Sequence, residues 1–208
     1  GRTTANTDGT LAGRTPGVYL DETGLHQVEE CGDRLAALPL AHVVFSPLER
    51  CRETAEAIVE HQQATPPAIE DEGLLECDYG QWQGRSLKEL AEEPLWQTVQ
   101  RHPAAAVFPG GESLAAMQAR SVEAVRRWDA RVTDEHGPTA VWAAVAHGDI
   151  IKAILSDALG MHLDLFQRLR VDPASVSIVG YGRHRPDVIA VNTIAGDYSW
   201  LNARPADE

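Results

Sequence analysis

The chain has few cysteines and few basic residues, and it has no long apolar run. Its three cysteines form no Cys-x-x-Cys pair, which indicates a reduced, cytoplasmic setting rather than a disulfide framework. Lys and Arg number 18 against 31 Asp and Glu, and the net charge of −13 argues against nucleic acid and anionic membrane surfaces as partners. A bilayer span needs about 18 or more consecutive apolar residues, and none occur. These exclusions leave a small molecule as the ligand. An anionic small molecule can still bind, because a local Arg/His cluster attracts it at short range.

Familiar catalytic and binding motifs are also absent. The sequence has no G-x-S-x-G elbow, no phosphate-binding P-loop, no H-E-x-x-H pair and no G-x-G-x-x-G fingerprint. His42, His61, His102 and His136 are scattered without the spacing of metal ligands. The sequence therefore predicts no metal and no cofactor.

Apolar runs and helical periodicity alternate along the chain. A short buried strand is expected at 42–45 and a continuous apolar strand at 141–146, which is typical of a sheet covered on both faces. Residues 64–112 form an irregular, lid-like insertion with short helices near 86–101. The other expected elements are a loop over 1–21, a helix with Leu25, Val28, Cys31, Leu35 and Leu38 on its apolar face, a long helix from Ser113, a helix over 150–159, and a hairpin of strands 176–181 and 188–191 around 182–186.

This order of elements predicts the fold class. Strand–helix units, then an insertion, then a strand–helix unit and two strands indicate an α/β protein with a mainly parallel sheet and helices on both faces, a three-layer α/β/α architecture. We expect a single domain over 1–208 with the lid around 64–112.

Residues 46–49 predict the start of a helix, with Ser46 as N-cap, a proline at the first helical position and Glu49 completing a capping box. Arg50 would then lie in the first turn, where free N–H groups and the macrodipole attract anions. Its guanidinium can hold a phosphate in bidentate fashion. The alternative is a surface ion pair with Glu53.

His147 directly follows the apolar strand at 141–146. In open α/β sheets ligands lie beyond the carboxyl ends of strands, so His147 and Arg50 are expected at one edge of the sheet. By itself His147 fits a buried core histidine. Paired with Arg50, it fits a donor that stabilises charge on a transferring phosphoryl group. Asp149 is expected to be structural, in the first turn of the next helix.

Glu76 is a carboxylate of the irregular insertion that its sequence neighbours single out as a candidate site residue. A lone glutamate in a loop is normally solvated, but here a glycine and a tryptophan follow at Gly80 and Trp82. A catalytic carboxyl at this place needs a raised pKa to hold its proton near neutrality. Asp78 is a weaker candidate for the same role, and Cys77 weaker still.

Four segments, taken in order, resemble the histidine phosphatase superfamily, the phosphoglycerate-mutase-like enzymes. They are 1–6 (Gly-Arg-Thr-Thr-Ala-Asn), 46–50 (Ser-Pro-Leu-Glu-Arg), 74–84 with its Leu-x-Glu-x-x-x-Gly-x-Trp-x-Gly pattern, and 146–149 (Ala-His-Gly-Asp). The nucleophilic histidine of that family lies in an Arg-His-Gly motif, and this chain begins at the glycine. The resemblance therefore places the nucleophile, and the strand that carries it, immediately before Gly1.

The resemblance also implies roles for residues of this chain. Glu76 would act as general acid and then as base, and His147 would be the second histidine of the site. The positive side chains would do the charge stabilisation that a metal does elsewhere, so no metal is needed. The phosphate-binding set that it implies is Thr3, Asn6, Arg14, Arg50 and His147.

Several functions share this machinery. The resemblance implies a metal-independent phosphomonoester hydrolase that acts on a small phosphorylated metabolite through phosphohistidine. A phosphomutase is the alternative, and segments 12–17, 108–113 and 163–167 resemble an actinobacterial phosphomutase or phosphatase subgroup. A chain that truly starts at Gly1 would be an inactive phosphoester-binding relative. Such families commonly form homodimers. Residues 77–112 are expected to form the specificity wall, with apolar surface from Trp82, Leu95, Trp96 and Phe108, although packing inside the lid explains these residues equally well.

Overall fold

The computed structural model describes residues 1–182 and 184–196. Arg183, in the predicted hairpin turn, and the segment 197–208 lie outside the described residues. Short 3-10 helices occur at Glu72–Leu74, Gly80–Trp82, Pro103–Ala105 and Leu163–Arg168. The α-helices are α1 (Thr4–Thr7), α2 (Glu22–Leu35), α3 (Glu49–Glu60), α4 (Leu87–Leu90), α5 (Pro94–Arg101), α6 (Leu114–His136) and α7 (Gly148–Ala158), and the strands are β1 (Leu40–Phe45), β2 (Ala68–Glu70), β3 (Val141–Val145), β4 (Val176–Tyr181) and β5 (Pro186–Thr193).

The sheet is parallel, with β1 between β2 and β3. Val43 of β1 lies opposite Ala68 of β2, and Val44 lies opposite Ala144 of β3. The carboxyl ends of β1 and β3 therefore meet at one edge, and the residues that follow them, Ser46 and His147, come together there. The α/β fold with a parallel sheet is confirmed.

Alternate side chains of β1 reach opposite faces of the sheet, as the pleat of a strand requires. Val43 and Phe45 pack with the buried faces of α2 and α3. Val44 packs on the other face against α6, where Trp128 is buried. The three layers follow directly from this alternation.

The strands β4 and β5 form a separate antiparallel hairpin. Within the described residues β3 pairs only with β1, and β4 pairs only with β5. Both β3 and β4 line one cavity of about 1460 Å³, which extends to the carboxyl end of β3. The cavity thus joins two unpaired strand edges to the site described below.

The residues of the predicted lid pack into a hydrophobic core that they share with α6 and α7. The Trp82 ring contacts the rings of Phe108 at 5.3 Å and Trp96 at 6.2 Å between centroids. Trp82 is 3% exposed and Phe108 is 2% exposed, and Leu95 and Trp96 pack against their cluster. These aromatic rings hold the lid together, which favours the packing explanation over a specificity wall of exposed apolar surface.

Helix starts differ from the prediction at one place. Ser113 caps α6 as expected, since its side chain accepts a hydrogen bond from the N–H of Ala116. The prediction for α3 is wrong: the helix begins at Glu49 after Leu48, with no side-chain cap, and Ser46 is fully buried. Ser46 is drawn inward because it has a partner in the core, His147.

Two smaller expectations also fail. The predicted loop over 1–21 contains the short helix α1, capped by Thr3. Leu25, expected on the apolar face of α2, is 49% exposed, while Val28, Cys31 and Leu35 are buried as predicted. In the part of the chain that the structure describes, every helix is too short or too polar to cross a membrane.

Candidate active site

The four principal predicted residues line the same cavity: Asn6, Arg50, Glu76 and His147. Arg50 comes from the first turn of α3, and His147 is the N-cap of α7. Glu76 lies in the loop between two 3-10 helices, and Asn6 lies in α1. Residues distant in sequence therefore meet at the carboxyl edge of the sheet, as the position rule for α/β sheets requires.

Arg50 presents a guanidinium that is only partly satisfied. Its Nη2 donates to the carbonyl of Gly13 at 2.8 Å. Its Nη1 is buried and has no hydrogen-bond partner among the described residues. A buried donor without a partner costs free energy. An anion in the cavity would satisfy it, whereas the surface pair with Glu53 is not formed: Glu53 accepts instead from the N–H of Leu20.

His147 is a buried, neutral imidazole. It is 6% exposed, and burial, together with the positive charges of Arg50 and Arg120, lowers its pKa well below the ordinary value. Its Nε2 lies 2.7 Å from the hydroxyl of Ser46. That hydroxyl also accepts from the N–H of Leu48 at 3.5 Å, so its own proton can point to Nε2. This arrangement favours the tautomer with its proton on Nδ1. The Nδ1 atom is then the ring nitrogen that can donate a hydrogen bond.

Glu76 has the environment of an acid that keeps its proton. Protein atoms enclose its carboxyl except on the side of the cavity, and this burial is the main cause that raises its pKa to about 8. The negative charge of Asp149 raises it further, against a hydrogen bond from the N–H of Cys77. The raised pKa expected of a general acid is therefore present.

Two residues near Glu76, Tyr79 and Asp149, make a contact that the sequence did not indicate. Tyr79 is buried, lines the cavity and donates from its hydroxyl to Asp149 at 2.7 Å. Asp149 lies in the first turn of α7, as predicted, and also contacts the ammonium of Lys152 at 3.4 Å. The hydrogen bond from Tyr79 holds the carboxylate of Asp149 in place, and the negative charge of that carboxylate raises the pKa of Glu76. A tyrosine inside a loop motif gives no sequence signal for such a contact.

The loop that carries Glu76 is held by a charged clamp. Arg14 donates to the main-chain carbonyl of Glu76 at 2.8 Å, and Arg120 donates to the same carbonyl at 3.1 Å. Glu112 accepts from both guanidiniums, at 3.0 Å from Arg14 and 2.6 Å from Arg120. Glu112 also accepts from the N–H of Asp78. Arg14 therefore positions the loop that carries Glu76, and its predicted contact with phosphate remains a prediction.

The clamp carboxylate stays ionised. Burial acts to raise the pKa of Glu112, but hydrogen bonds from Arg120 and Asp78 and the charges of both arginines hold it below the ordinary value. In the sequence, Glu112 stands out only as a member of the segment 108–113 before the long helix. Arg120 carries no signal there. Their pairing depends on the tertiary approach of α6 to the lid loop.

Replacing Glu112 by glutamine should lower the free energy of unfolding by about 3 kcal/mol, because two partly buried guanidiniums lose their counter-charge. The measurement is urea unfolding followed by circular dichroism. Glu123→Gln is the matched control, since Glu123 forms an exposed pair with Arg127 and should lose no more than about 0.5 kcal/mol. Equal losses in both variants would contradict the clamp.

Thr3 and Asn6 form a local capping arrangement. The Oδ1 of Asn6 accepts from the N–H of Thr3 at 2.9 Å and from its hydroxyl at 3.0 Å. Thr3 is 3% exposed, so its hydroxyl is committed to this turn. Asn6 is exposed at the cavity, and its amide group can face a ligand there. The structure thus brings Asn6 to the pocket, with Thr3 as its support.

The cysteines near the site are inert. Cys77 is fully buried, and burial strongly raises the pKa of its thiol. Burial likewise raises the pKa of Cys51 to about 12, and its Sγ lies 3.5 Å from the Nε2 of His147. Both act as packing residues at neutral pH. Asp78, the weaker acid candidate, accepts from the N–H of Gly80 in a local turn.

The sequence matches the family model of the histidine phosphatase superfamily (branch 1) over residues 1–194. The chain belongs to this superfamily. It is 33% identical over 143 residues to a 2,3-bisphosphoglycerate-dependent phosphoglycerate mutase of Gloeobacter violaceus, covering 67% of this chain and 64% of that one. It is 28% identical over 176 residues to phosphoserine phosphatase 1 of Hydrogenobacter thermophilus, covering 83% of this chain and 80% of that one.

A solved structure shows the same fold. The YhfR protein of Bacillus stearothermophilus superposes with a TM-score of 0.81 at 25% identity, over 97% of this chain and 95% of that one. Among the curated relatives, this chain spans 64% of the mutase and 43% of a bifunctional protein of Mycobacterium tuberculosis. Membership of the superfamily is thus established by sequence and by fold.

Proposed function

We propose that this superfamily member hydrolyses phosphomonoesters of small metabolites through a phosphohistidine intermediate, on a histidine that directly precedes Gly1. The observation that carries the proposal is one cavity lined by Arg50 with a buried unpartnered donor, a neutral His147 and a Glu76 of high pKa. Phosphoryl transfer needs hydrogen-bond donors for the phosphoryl oxygens and an acid for the leaving group. Arg50 and His147 fit the first role, and Glu76 fits the second.

The position of the nucleophile is supported by the backbone nitrogen of Gly1. That nitrogen lies in the cavity wall, 3.3 Å from the hydroxyl oxygen of Thr54, and Arg50 and His147 line the same cavity. The residue before Gly1 would therefore stand among the groups that hold the phosphoryl oxygens.

The segment that would carry this histidine fits as a strand between β3 and β4. The edges of β3 and β4 face the same cavity, and their apolar side chains are mostly half-buried there. Unpaired strand edges offer rows of free N–H and C=O groups, which an extended segment satisfies by pairing with both. A strand between β3 and β4 that ends at Gly1 would join the hairpin to the parallel sheet.

The chemistry then runs in two balanced steps. The histidine nitrogen attacks phosphorus, the bond to the ester oxygen breaks, and Glu76 gives its proton to the leaving oxygen. Arg50 and the Nδ1–H of His147 stabilise charge on the remaining phosphoryl oxygens. In the second step the Glu76 carboxylate takes a proton from water, the resulting hydroxide attacks phosphorus, and the N–P bond breaks to release phosphate.

Hydrolysis is favoured over mutase chemistry by the charges of the site. A phosphoglycerate mutase has to hold a second anionic group of its substrate. Arg14 and Arg120 both bind the carboxylate of Glu112, and Lys152 contacts Asp149, so within the described residues these cations already have acidic partners. Arg50 remains for one phosphoryl group. The relatives include a named mutase and a named phosphatase, so the experiment has to distinguish hydrolysis from phosphate transfer.

The first experiment determines the N-terminal sequence and intact mass of the native gene product. That protein is then assayed with 4-nitrophenyl phosphate in the presence of excess chelator. We expect a histidine before Gly1, chelator-resistant cleavage, and an acid-labile phosphorylated protein when turnover is stopped. A different residue before Gly1, or loss of activity with chelator, would overturn the proposal. Transfer of phosphate to a second hydroxyl without net hydrolysis would identify a mutase.

Ser46→Ala tests the orientation of His147 in the same assay. The variant should lower kcat about 10-fold with little change in KM, because the imidazole loses the partner that fixes its tautomer. Ser86→Ala is the control, since Ser86 caps the exposed helix α4. An unchanged kcat in Ser46→Ala would show that the hydroxyl has no part in orienting the ring.

A further inference from the structure

Two histidines that are far apart in the sequence meet at the edge of the sheet opposite the active site. His42 lies near the start of β1, whereas the pocket lies beyond its end. Glu135 and His136 end α6 beside it. The Nε2 of His42 is 3.8 Å from Oε2 of Glu135, and the Nε2 of His136 is 3.9 Å from the same oxygen. The ligand atoms of all three residues lie within 4.8 Å of one another.

These separations suit a shared cation better than direct hydrogen bonds. A nitrogen and an oxygen 3.8 Å apart are beyond hydrogen-bond distance. Ligands of a tetrahedral zinc ion lie about 3.3 Å from one another, given metal–ligand bonds of about 2.0–2.1 Å. The side chains of Glu135 and His136 are 42% and 44% exposed, so they can close this gap by rotation. His42 is held by the strand and sets the position of the ion.

His42 has the properties of a preformed ligand. It is 4% exposed, and its Nδ1 is buried without a hydrogen-bond partner among the described residues. A cation bound through Nε2 would leave the ring proton on Nδ1, which has no acceptor among the described residues.

Arg131 is the group that competes for the carboxylate. Its Nε donates to Oε1 of Glu135 at 2.8 Å, and its guanidinium lies over the Trp128 ring at 4.9 Å. This contact occupies one carboxylate oxygen and leaves Oε2, which faces both histidines. The positive charge of Arg131 acts against a cation bound at Oε2.

We propose that His42, Glu135 and His136 form a binding site for Zn²⁺, with three protein ligands and water at the fourth position. Two histidines and a carboxylate are a common ligand set for this ion. The site ties the start of β1 to the end of α6, so its role is to stabilise the fold or to sense the metal. The phosphatase reaction takes place at the other edge of the sheet and does not use it.

The test is calorimetric titration of the intact, untagged and metal-free protein with zinc chloride. We expect one ion per chain. Saturation, at about 100 times the dissociation constant, should raise Tm by about 5–10 °C. His136→Ala and Glu135→Gln should each weaken binding at least about 10-fold. His102→Ala is the control, because His102 is an exposed histidine elsewhere on the surface and should bind zinc as the wild type does.

One further variant and a second metal ion sharpen the result. Arg131→Gln should bind zinc more tightly than the wild type, since it removes the competing charge and frees Oε1. Cobalt in place of zinc should give the visible absorption of tetrahedral coordination, and His136→Ala should lose it. Absence of saturable binding, or equal affinity in His136→Ala and His102→Ala, would overturn the proposal and leave surface binding only.

Discussion

Glu76→Gln, in the full-length protein that carries the proposed histidine, should reduce kcat/KM for alkyl phosphomonoesters at least about 100-fold, because the leaving alkoxide loses its proton donor. The loss should be smaller for 4-nitrophenyl phosphate, whose leaving group needs little protonation. With that substrate the first step still proceeds but the second lacks its base, so the phosphorylated protein should accumulate. Rapid-quench measurement of the burst checks this.

The pH dependence provides an independent test of the same residue. Since the pKa of Glu76 is raised to about 8, kcat/KM of the wild type should fall as pH rises through that value. In Glu76→Gln this limb should be absent. Glu72→Gln, at a surface glutamate of the preceding 3-10 helix, is the control and should keep it. A wild-type profile that stays flat to pH 9 would refute the assignment of Glu76 as the acid.

The same raised pKa predicts a stability effect with a definite sign. The folded protein holds the Glu76 proton more tightly than the unfolded chain, so the contribution is complete below the ordinary pKa of 4.5 and is lost as pH rises to about 8. The neutral His147 acts in the opposite direction, since its lowered pKa makes folding more favourable as pH rises through 6.5. Relative to wild type, Glu76→Gln should therefore gain stability between pH 4.5 and 8, as urea unfolding at several pH values would show.

His147→Ala is the second large effect. It should lower kcat at least about 100-fold in the full-length protein, the weight of one preorganised donor to a developing oxyanion. Because His147 is neutral and buried, the loss should be the same from pH 6 to pH 8, whereas a charged histidine would show a pH-dependent loss. The measurement is kcat for 4-nitrophenyl phosphate across that range.

A control separates this loss from a folding defect. His162→Ala changes an exposed histidine that caps the 3-10 helix Leu163–Arg168, and it should leave kcat unchanged. Near-wild-type kcat in a folded His147→Ala variant would remove His147 from the mechanism. Loss of phosphate binding with retained kcat would instead assign it to ground-state binding alone.

Arg50 and Glu76 show how far motif and position lead. Sequence placed Arg50 at a helix start beyond a strand, and placed Glu76 at the right offset from Gly80 and Trp82, so their meeting was predictable from strand ends and family pattern. Their electrostatics were not, because the pKa of Glu76 depends on burial and on Asp149, which comes from another element.

Ser46 shows where local reasoning fails. A serine before Pro-Leu-Glu has the pattern of a helix cap, but the buried ring of His147 competes for its hydroxyl and the helix starts later. Arg14, whose contact with phosphate stays a prediction, binds Glu112 and the carbonyl of Glu76, and no local pattern indicated these contacts. Long-range hydrogen bonds and ion pairs involve partners that are far apart in the sequence, so local patterns do not reveal them.

The sequence by itself determined the α/β class, the long helix after Ser113 and which residues are the main candidates for the site, because these follow from periodicity, capping and ordered motifs. Only the tertiary structure decided the clamp around Glu112, the partner of His147, and the approach of His42 to His136. The reason is physical: strand pairing and helix packing set which distant side chains come within a few ångströms. Hydrogen bonds and burial, and with them the pKa shifts, follow from that placement.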